Sequence, residues 1–245
     1  MKLYKQFILV EEGSKVIKIE NLDSYYGESK VINDLNLEVP NGKITCLIGR
    51  NGVGKSTTLK SIMGLVKTLS GSVMLGDKDI TKLTTYDRAK LGIGYVPQGR
   101  DIFPQMTVRE NLELGLQPLG GKGQIPEFIY ELFPILSKFE KRKGGDLSGG
   151  QQQQLAIARA LVADPKILIL DEPTEGIQPS IIKDIGNAIK KINKWKGLSI
   201  LIVEQYLEFV LDVSDSVYVM EKGQIILEGE TRNLKAEDIQ KIMTI

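Results

Sequence analysis

The 245-residue chain contains no histidine. The side chain most used for proton transfer near neutral pH, and the commonest metal ligand, is therefore excluded from every role. Its single cysteine, Cys46, rules out an internal disulfide and a cysteine-based zinc site. Cys46 lies within the apolar run Ile44–Ile48, where a core position is expected rather than a reactive thiol. The lone tryptophan, Trp195, stands near the end of a helical stretch and reads as packing. An excess of charge of either sign is also missing: charged residues make up 26%, yet the formal net charge is +1. A dedicated nucleic-acid binder carries a basic stripe or tail, so no nucleic-acid partner is expected. No segment approaches the roughly 20 consecutive apolar residues needed to span a bilayer. Near the start, Phe7-Ile8-Leu9-Val10 is too short for a signal-peptide core, and Glu11-Glu12 follows it without a small-residue cleavage site. The expectation is a cytoplasmic chain that meets a membrane only through a partner.

What is present alternates. Runs rich in Ile, Val and Leu are separated by helix-like stretches, the pattern of an α/β fold. Strands are expected at Val16–Leu22, Val31–Val39, Ile44–Ile48, Ser72–Leu75, Ile93–Val96, Ile167–Leu170, Leu198–Val203, Val217–Met220 and Gln224–Glu228. Pro40-Asn41-Gly42 and Lys222-Gly223 mark turns. Helices are expected over Lys55–Leu65, Val108–Gly115, Pro126–Lys138, Gln151–Val162, Ser180–Ile192 and Ala236–Met243. Glycines and scattered prolines set the stretch from about Gly99 to Asp146 apart, and it reads as a helical subdomain inserted into the sheet domain.

Gly49-Arg50-Asn51-Gly52-Val53-Gly54-Lys55-Ser56 fits the phosphate-loop pattern, with a strand before it and a helix after it. A glycine-rich turn that binds nothing would not need that context. Glycines let the backbone curl until successive N–H groups point at phosphate oxygens, and the following helix adds its positive end. Lys55 would reach the β- and γ-phosphates, and the Ser56 hydroxyl would hold Mg²⁺. The matching carboxylates stand at the end of the apolar strand Ile167–Leu170. Asp171 is placed to hold Mg²⁺, and Glu172, one residue on, to polarise an attacking water. A merely solvated acidic pair would be unusual after four apolar residues.

Leu147-Ser148-Gly149-Gly150-Gln151 resembles the LSGGQ signature of ABC (ATP-binding cassette) ATPases. A hydroxyl and two glycines opening a helix offer free N–H groups to an anion. The resemblance runs from about Val16 to Glu228. It implies a P-loop NTPase of the ABC ATPase fold, with a mixed-sheet core and an inserted helical subdomain. It divides the single domain 1–245 into a nucleotide-binding core (15–98 and 147–230), the helical insert (99–146) and a C-terminal helix (231–245). It also implies a head-to-tail dimer in which Ser148, Gly149, Gly150 and Gln151 meet the γ-phosphate of ATP held by the opposite subunit. Gln98, in Gly94-Tyr95-Val96-Pro97-Gln98, matches the glutamine that contacts Mg²⁺ and the attacking water. Tyr26 matches the aromatic residue that stacks on adenine, although a tyrosine before a turn is also ordinary packing. Asn51, Gly52, Gly54 and Thr57 fall among the phosphate-binding positions.

Two departures stand out. Family members commonly place a histidine after the last core strand, against the γ-phosphate; here Gln205 takes that place, and glutamine cannot become cationic. Before the proline that opens the next helix, Gln178 replaces the usual aspartate. Both features resemble the branch of ATPases serving branched-chain amino-acid and urea or short-chain-amide importers, as do Gly99-Arg100, Met106–Leu112 and Leu147–Leu161. Within it, Asp171–Ile182 and the Gln151–Gln154 run most resemble the urea-type subunit. The resemblance implies a heterodimer with a second ABC ATPase subunit that keeps the histidine. It further implies integral membrane permease subunits, an indirectly coupled extracytoplasmic solute-binding protein, and a place on the cytoplasmic face of the membrane. A non-transport ABC protein acting on nucleic acid or in assembly, and an exporter ATPase, are the competing readings.

Overall fold

The computed structural model describes residues 15–26 and 29–244, and of Tyr26 and Thr244 the backbone alone. The opening segment and the stacking side chain assigned to Tyr26 lie outside the described residues. The chain begins β1 (Lys15–Tyr26), β2 (Ser29–Pro40), β3 (Ile44–Ile48), α1 (Lys55–Ile62), β4 (Thr68–Leu75), β5 (Lys78–Asp79), α2 (Thr85–Lys90) and β6 (Ile93–Val96). It continues α3 (Val108–Leu114), α4 (Glu127–Leu132), α5 (Pro134–Lys138), α6 (Gly149–Leu161), β7 (Ile167–Asp171) and α7 (Pro179–Lys196). It closes β8 (Ser199–Glu204), α8 (Leu207–Val213), β9 (Ser216–Glu221), β10 (Gln224–Glu230) and α9 (Ala236–Thr244).

Two sheets form. One is antiparallel, in the order β2-β1-β4-β5; the other has six strands in the order β10-β9-β3-β8-β7-β6. In the larger sheet β9, β3, β8, β7 and β6 run parallel, and only β10 is antiparallel. The mixed sheet is as expected; the separate antiparallel sheet is a further layer. Strands β3, β7 and β8 are buried along their whole length, which is why they read as unbroken apolar runs. Their side chains alternate between two cores. Leu47, Ile167, Ile169, Leu201 and Val203 face the small sheet and α1, where Leu59 and Ile62 also pack. Cys46, Ile48, Leu168, Leu170, Ile200 and Ile202 face the helical side, together with Val108, Leu112, Leu155 and Ile189. Each buried aliphatic side chain contributes about 1.5–3 kcal/mol.

Several boundaries differ from expectation for local reasons. The single helix expected over Pro126–Lys138 is broken at Phe133, whose φ of −130° is not helical because Pro134 follows it. Helices α2 and α8 carry too few residues to show a period. Strand β4 starts at Thr68, earlier than expected, because its first half is partly exposed and lacks an apolar pattern. Both predicted turns are present. Lys222 (φ 45°) and Gly223 (φ 81°) form the left-handed pair that suits a tight hairpin. That hairpin supports the phosphate loop: the Gly223 N–H donates to the Val53 carbonyl at 2.8 Å.

Helix α1 is anchored at its far end by Arg88 of α2, which is 2% exposed. Its guanidinium donates to the Ser61 and Ile62 carbonyls at 2.8 and 2.6 Å, and to those of Thr81 and Leu83 at 2.7 and 3.0 Å. A cation there suits the negative end of a helix.

Candidate nucleotide site

The carboxyl ends of four neighbouring strands converge: β3 delivers residues 49–56, β8 Gln205, β7 Asp171 and Glu172, and β6 Gln98. Open parallel sheets bind ligands at this edge. Gly49 is obligatory because a Cβ there would lie 2.5 Å from the Met220 carbonyl oxygen. Gly54 adopts φ 114° and opens α1. A Cβ on Gly52 would meet nothing, so the loop presents open space on that side. Asn51 and Gly52 are exposed, whereas Thr57 is buried.

Lys55 is folded inward. Its Nζ donates to the carbonyls of Gly49 at 2.9 Å and Arg50 at 3.0 Å, and lies 3.4 Å from Glu172 Oε1. Ser56 donates its hydroxyl to Asp171 Oδ1 at 3.0 Å. Burial, reinforced by the neighbouring Glu172 charge, raises the Asp171 carboxyl above the ordinary range, and the Ser56 hydrogen bond opposes the shift. A hydroxyl and a carboxylate side by side suit Mg²⁺, which takes few protein oxygens and completes its shell with water and phosphate. Among the described residues no cluster of three or more acidic, Cys or His side chains forms a metal cage. Ser56 and Asp171 are the residues here that could hold such an ion.

Glu172 has a left-handed backbone (φ 46°), a costly conformation for a residue with a side chain. Its N–H donates to the Val203 carbonyl at 2.9 Å, fastening it to β8. Gln98 Nε2 donates to Glu172 Oε2 at 3.2 Å and to Glu175 Oε2 at 3.0 Å. With its N–H₂ occupied by two carboxylates, the Gln98 amide is left with its oxygen to offer.

Ser148 caps α6. Its Oγ accepts from the Gln151 N–H at 3.4 Å, and Gln151 Oε1 accepts from the Ser148 N–H at 3.0 Å. Added Cβ atoms on Gly149 and Gly150 would press on Arg100 and Ile181, not on the phosphate loop. The structure thus brings Lys55, Ser56, Gln98, Asp171 and Glu172 together, and sets Gly149 beside Arg100 and Gly150 beside Ile181. Gln205 is exposed at the end of β8.

Three residues escaped the sequence reading: Glu175, which binds Gln98; Arg100, whose Nη2 donates to the Glu175 carbonyl at 3.2 Å; and Glu204. Glu204 is buried at the end of β8, and burial raises its carboxyl while four hydrogen bonds oppose the shift. The available signal was an acidic residue closing an apolar strand, the same pattern as at Asp171.

The ABC transporter family profile matches residues 32–175. The chain is 38% identical over 222 residues to the probable branched-chain amino acid transport ATP-binding protein LivF of Archaeoglobus fulgidus, covering 89% of this chain and 94% of that one. It is 36% identical to the high-affinity branched-chain amino acid transport ATP-binding protein BraG of Pseudomonas aeruginosa, covering 86% and 91%. The ADP conformation of MJ1267, an ATP-binding cassette of an ABC transporter, superposes with a TM-score of 0.76 at 36% identity, covering 94% of this chain and 95% of that one. With a P-loop, a strand-end carboxylate pair and a capped signature helix set in that fold, the chain belongs to the ABC transporter family as one of its ATP-binding, ATP-hydrolysing members.

Proposed function

We propose that this chain is the ATPase subunit of an importer for branched-chain amino acids, acting at the cytoplasmic face of a membrane. Two whole-length relatives named for branched-chain amino acid transport carry the reading. The likeness of Asp171–Ile182 and Gln151–Gln154 to urea-type subunits supports urea or a short amide as a second reading.

ATP would lie along Gly49–Thr57 with its adenine against Tyr26. Lys55 leaves Glu172 for the β- and γ-phosphates. Ser56, Asp171 and the Gln98 oxygen would hold Mg²⁺, which neutralises phosphate charge when bound. Glu172 then orients and deprotonates the attacking water, and Gln205 donates to the γ-phosphate. Phosphoryl transfer needs mainly positioning and charge neutralisation, and these residues supply both. The likeness of the Ser148–Gln151 segment to the ABC signature supports a head-to-tail dimer in which it closes a partner's site. Because Gln205 cannot become cationic, the partner is proposed to be a different ATPase that keeps a histidine.

Residues 99–146 read as the helical subdomain. An apolar groove of about 420 Å³ lies beside it, lined by Tyr95, Phe103, Leu114, Pro118, Leu119 and Arg159. Exposed Phe103 and Leu119 at its rim suit a helix of a membrane permease subunit. Among the described residues, no helix is long and apolar enough to cross a membrane.

The test is ATPase turnover of the chain alone and then with a second ATPase and permease subunits in vesicles. A solute-binding protein loaded with leucine or with urea is then added. Stimulation by leucine supports the first reading and stimulation by urea the second. Full turnover of the chain alone, indifferent to every partner, overturns both.

A further inference from the structure

Glu204 closes the buried strand β8 and is 1% exposed. One of its oxygens, Oε1, accepts from the backbone N–H of Thr174 at 3.0 Å and from the Thr174 hydroxyl at 2.7 Å. The other, Oε2, accepts from the N–H groups of Gln205 at 2.9 Å and Tyr206 at 3.2 Å. One carboxylate thus holds two loops that leave adjacent strands. The first follows β7 and carries Glu172; the second follows β8 and carries Gln205. The Glu172 N–H bond to the Val203 carbonyl ties the same two strand ends once more.

A carboxylate in such a place is expensive unless its bonds do something that apolar packing cannot. The neighbouring residues of β8 show that an aliphatic side chain would suit the strand. Only a carboxylate, with two acceptor oxygens, answers donors arriving from both loops. An amide would turn its N–H₂ toward one pair of donors.

We propose that Glu204 is a positioning residue for ATP hydrolysis. It fixes the mutual placement of Glu172, which handles the water, and Gln205, which meets the γ-phosphate. Its bonds run to Thr174, Gln205 and Tyr206 and not to Lys55, Ser56 or Asp171. It therefore acts on the groups of the hydrolytic step and on none of the phosphate-loop contacts that supply most of the nucleotide binding. The inference rests on the roles proposed above for Glu172 and Gln205.

The experiment uses the full chain assembled with the second ATPase and the permease subunits, under single-turnover conditions with Mg-ATP. Affinity for a non-hydrolysable ATP analogue and hydrogen exchange of individual amides are measured alongside. Glu204→Gln is expected to lower the hydrolysis rate by about tenfold to a hundredfold, the scale set by small misplacements of reacting groups. Analogue affinity should stay within about twofold, the pattern of an interaction made only in the transition state. Exchange at the Gln205 and Tyr206 amides should quicken, while exchange in α1 should not change. Thr174→Val, which keeps Glu204 and removes one donor, is expected to lower the rate less, in the same direction, and serves if the first variant fails to fold. An unchanged rate in whichever variant folds overturns the proposal, as does a fall in rate matched by an equal fall in analogue affinity. Glu172→Gln is run as a control. If that variant still hydrolyses ATP normally, it is the role of Glu172 that fails, whatever the amides of Gln205 and Tyr206 report about the clamp.

Discussion

The ammonium of Lys55 and the carboxylate of Glu172 lie 3.4 Å apart, and the two residues are only 4% and 7% exposed. Each neutralises the other before any phosphate arrives. In the binding mode proposed above, ATP would separate them and free the acid for its proposed work on water.

Replacing Glu172 with Gln removes both the competitor for Lys55 and the base. ATP affinity should rise by about fivefold, equivalent to ~1 kcal/mol for one partly screened charge pair. Hydrolysis should fall by about 10²–10⁴-fold. Equilibrium binding and phosphate release measured on the same preparation check both, and normal turnover would refute the assignment of the base.

Lys55→Met leaves the Glu172 carboxylate buried with Gln98 as its remaining side-chain donor. Breaking a buried pair in this way costs about 3 kcal/mol. A lower urea midpoint without nucleotide is expected, together with loss of measurable ATP binding. An unaltered midpoint would show that the pair contributes nothing to the nucleotide-free state.

Gln205→His introduces a side chain that can carry charge at the position proposed to meet the γ-phosphate. Turnover should increase by about tenfold, below the roughly 10²–10⁴-fold of a full acid–base contribution because glutamine already supplies a hydrogen-bond donor. The increase should be largest below about pH 6.5, where imidazole is protonated. A flat comparison of the two chains across that range would count against a γ-phosphate contact.

Arg88→Met strips donors from four buried or half-buried carbonyls and uncovers the end of α1. The expected loss is on the order of 3 kcal/mol. It is measured by thermal and urea unfolding. A loss below about 0.5 kcal/mol, the range of ordinary surface changes, would mean that the four bonds are replaced by others.

The Cys46 thiol is fully buried, and burial pushes its pKa upward from 9.0, with a hydrogen bond from Ser214 in partial opposition. Because the folded value exceeds the unfolded one, the stabilising contribution is complete below the unfolded value and is lost as pH rises toward the folded one. Native chain should resist thiol reagents at neutral pH and become labelled only as it unfolds. Raising the pH past 9.0 should speed labelling through the unfolded chain. Rapid labelling of native chain at pH 7 would contradict the burial.

Chemistry close together in sequence was legible, because loop, strand and cap each advertise themselves locally. Residues 49–56, the pair Asp171-Glu172 and the helix start at Ser148 needed only strand–loop–helix context. What stayed hidden depended on pairing across the chain. That β1, β2, β4 and β5 form their own sheet follows from register, which periodicity does not encode. Glu204 carried no local sign beyond closing an apolar strand, and only Thr174, thirty residues upstream and held by its carboxylate, reveals a task for it. Arg88 was passed over in the same way, since two of its four acceptors, at Ser61 and Ile62, lie more than twenty residues upstream.

The adjacency of β3, β8, β7 and β6 in one sheet has a metric consequence. Hydrogen-bonded strands stand about 4.8 Å apart, so three steps set the outermost contributors about 14 Å from each other. The width of the cleft is thus gauged by the sheet itself, in units no loop can stretch. The long stretch of chain threaded between β6 and β7 leaves these two strands paired, and with them the ruler against which a triphosphate is measured.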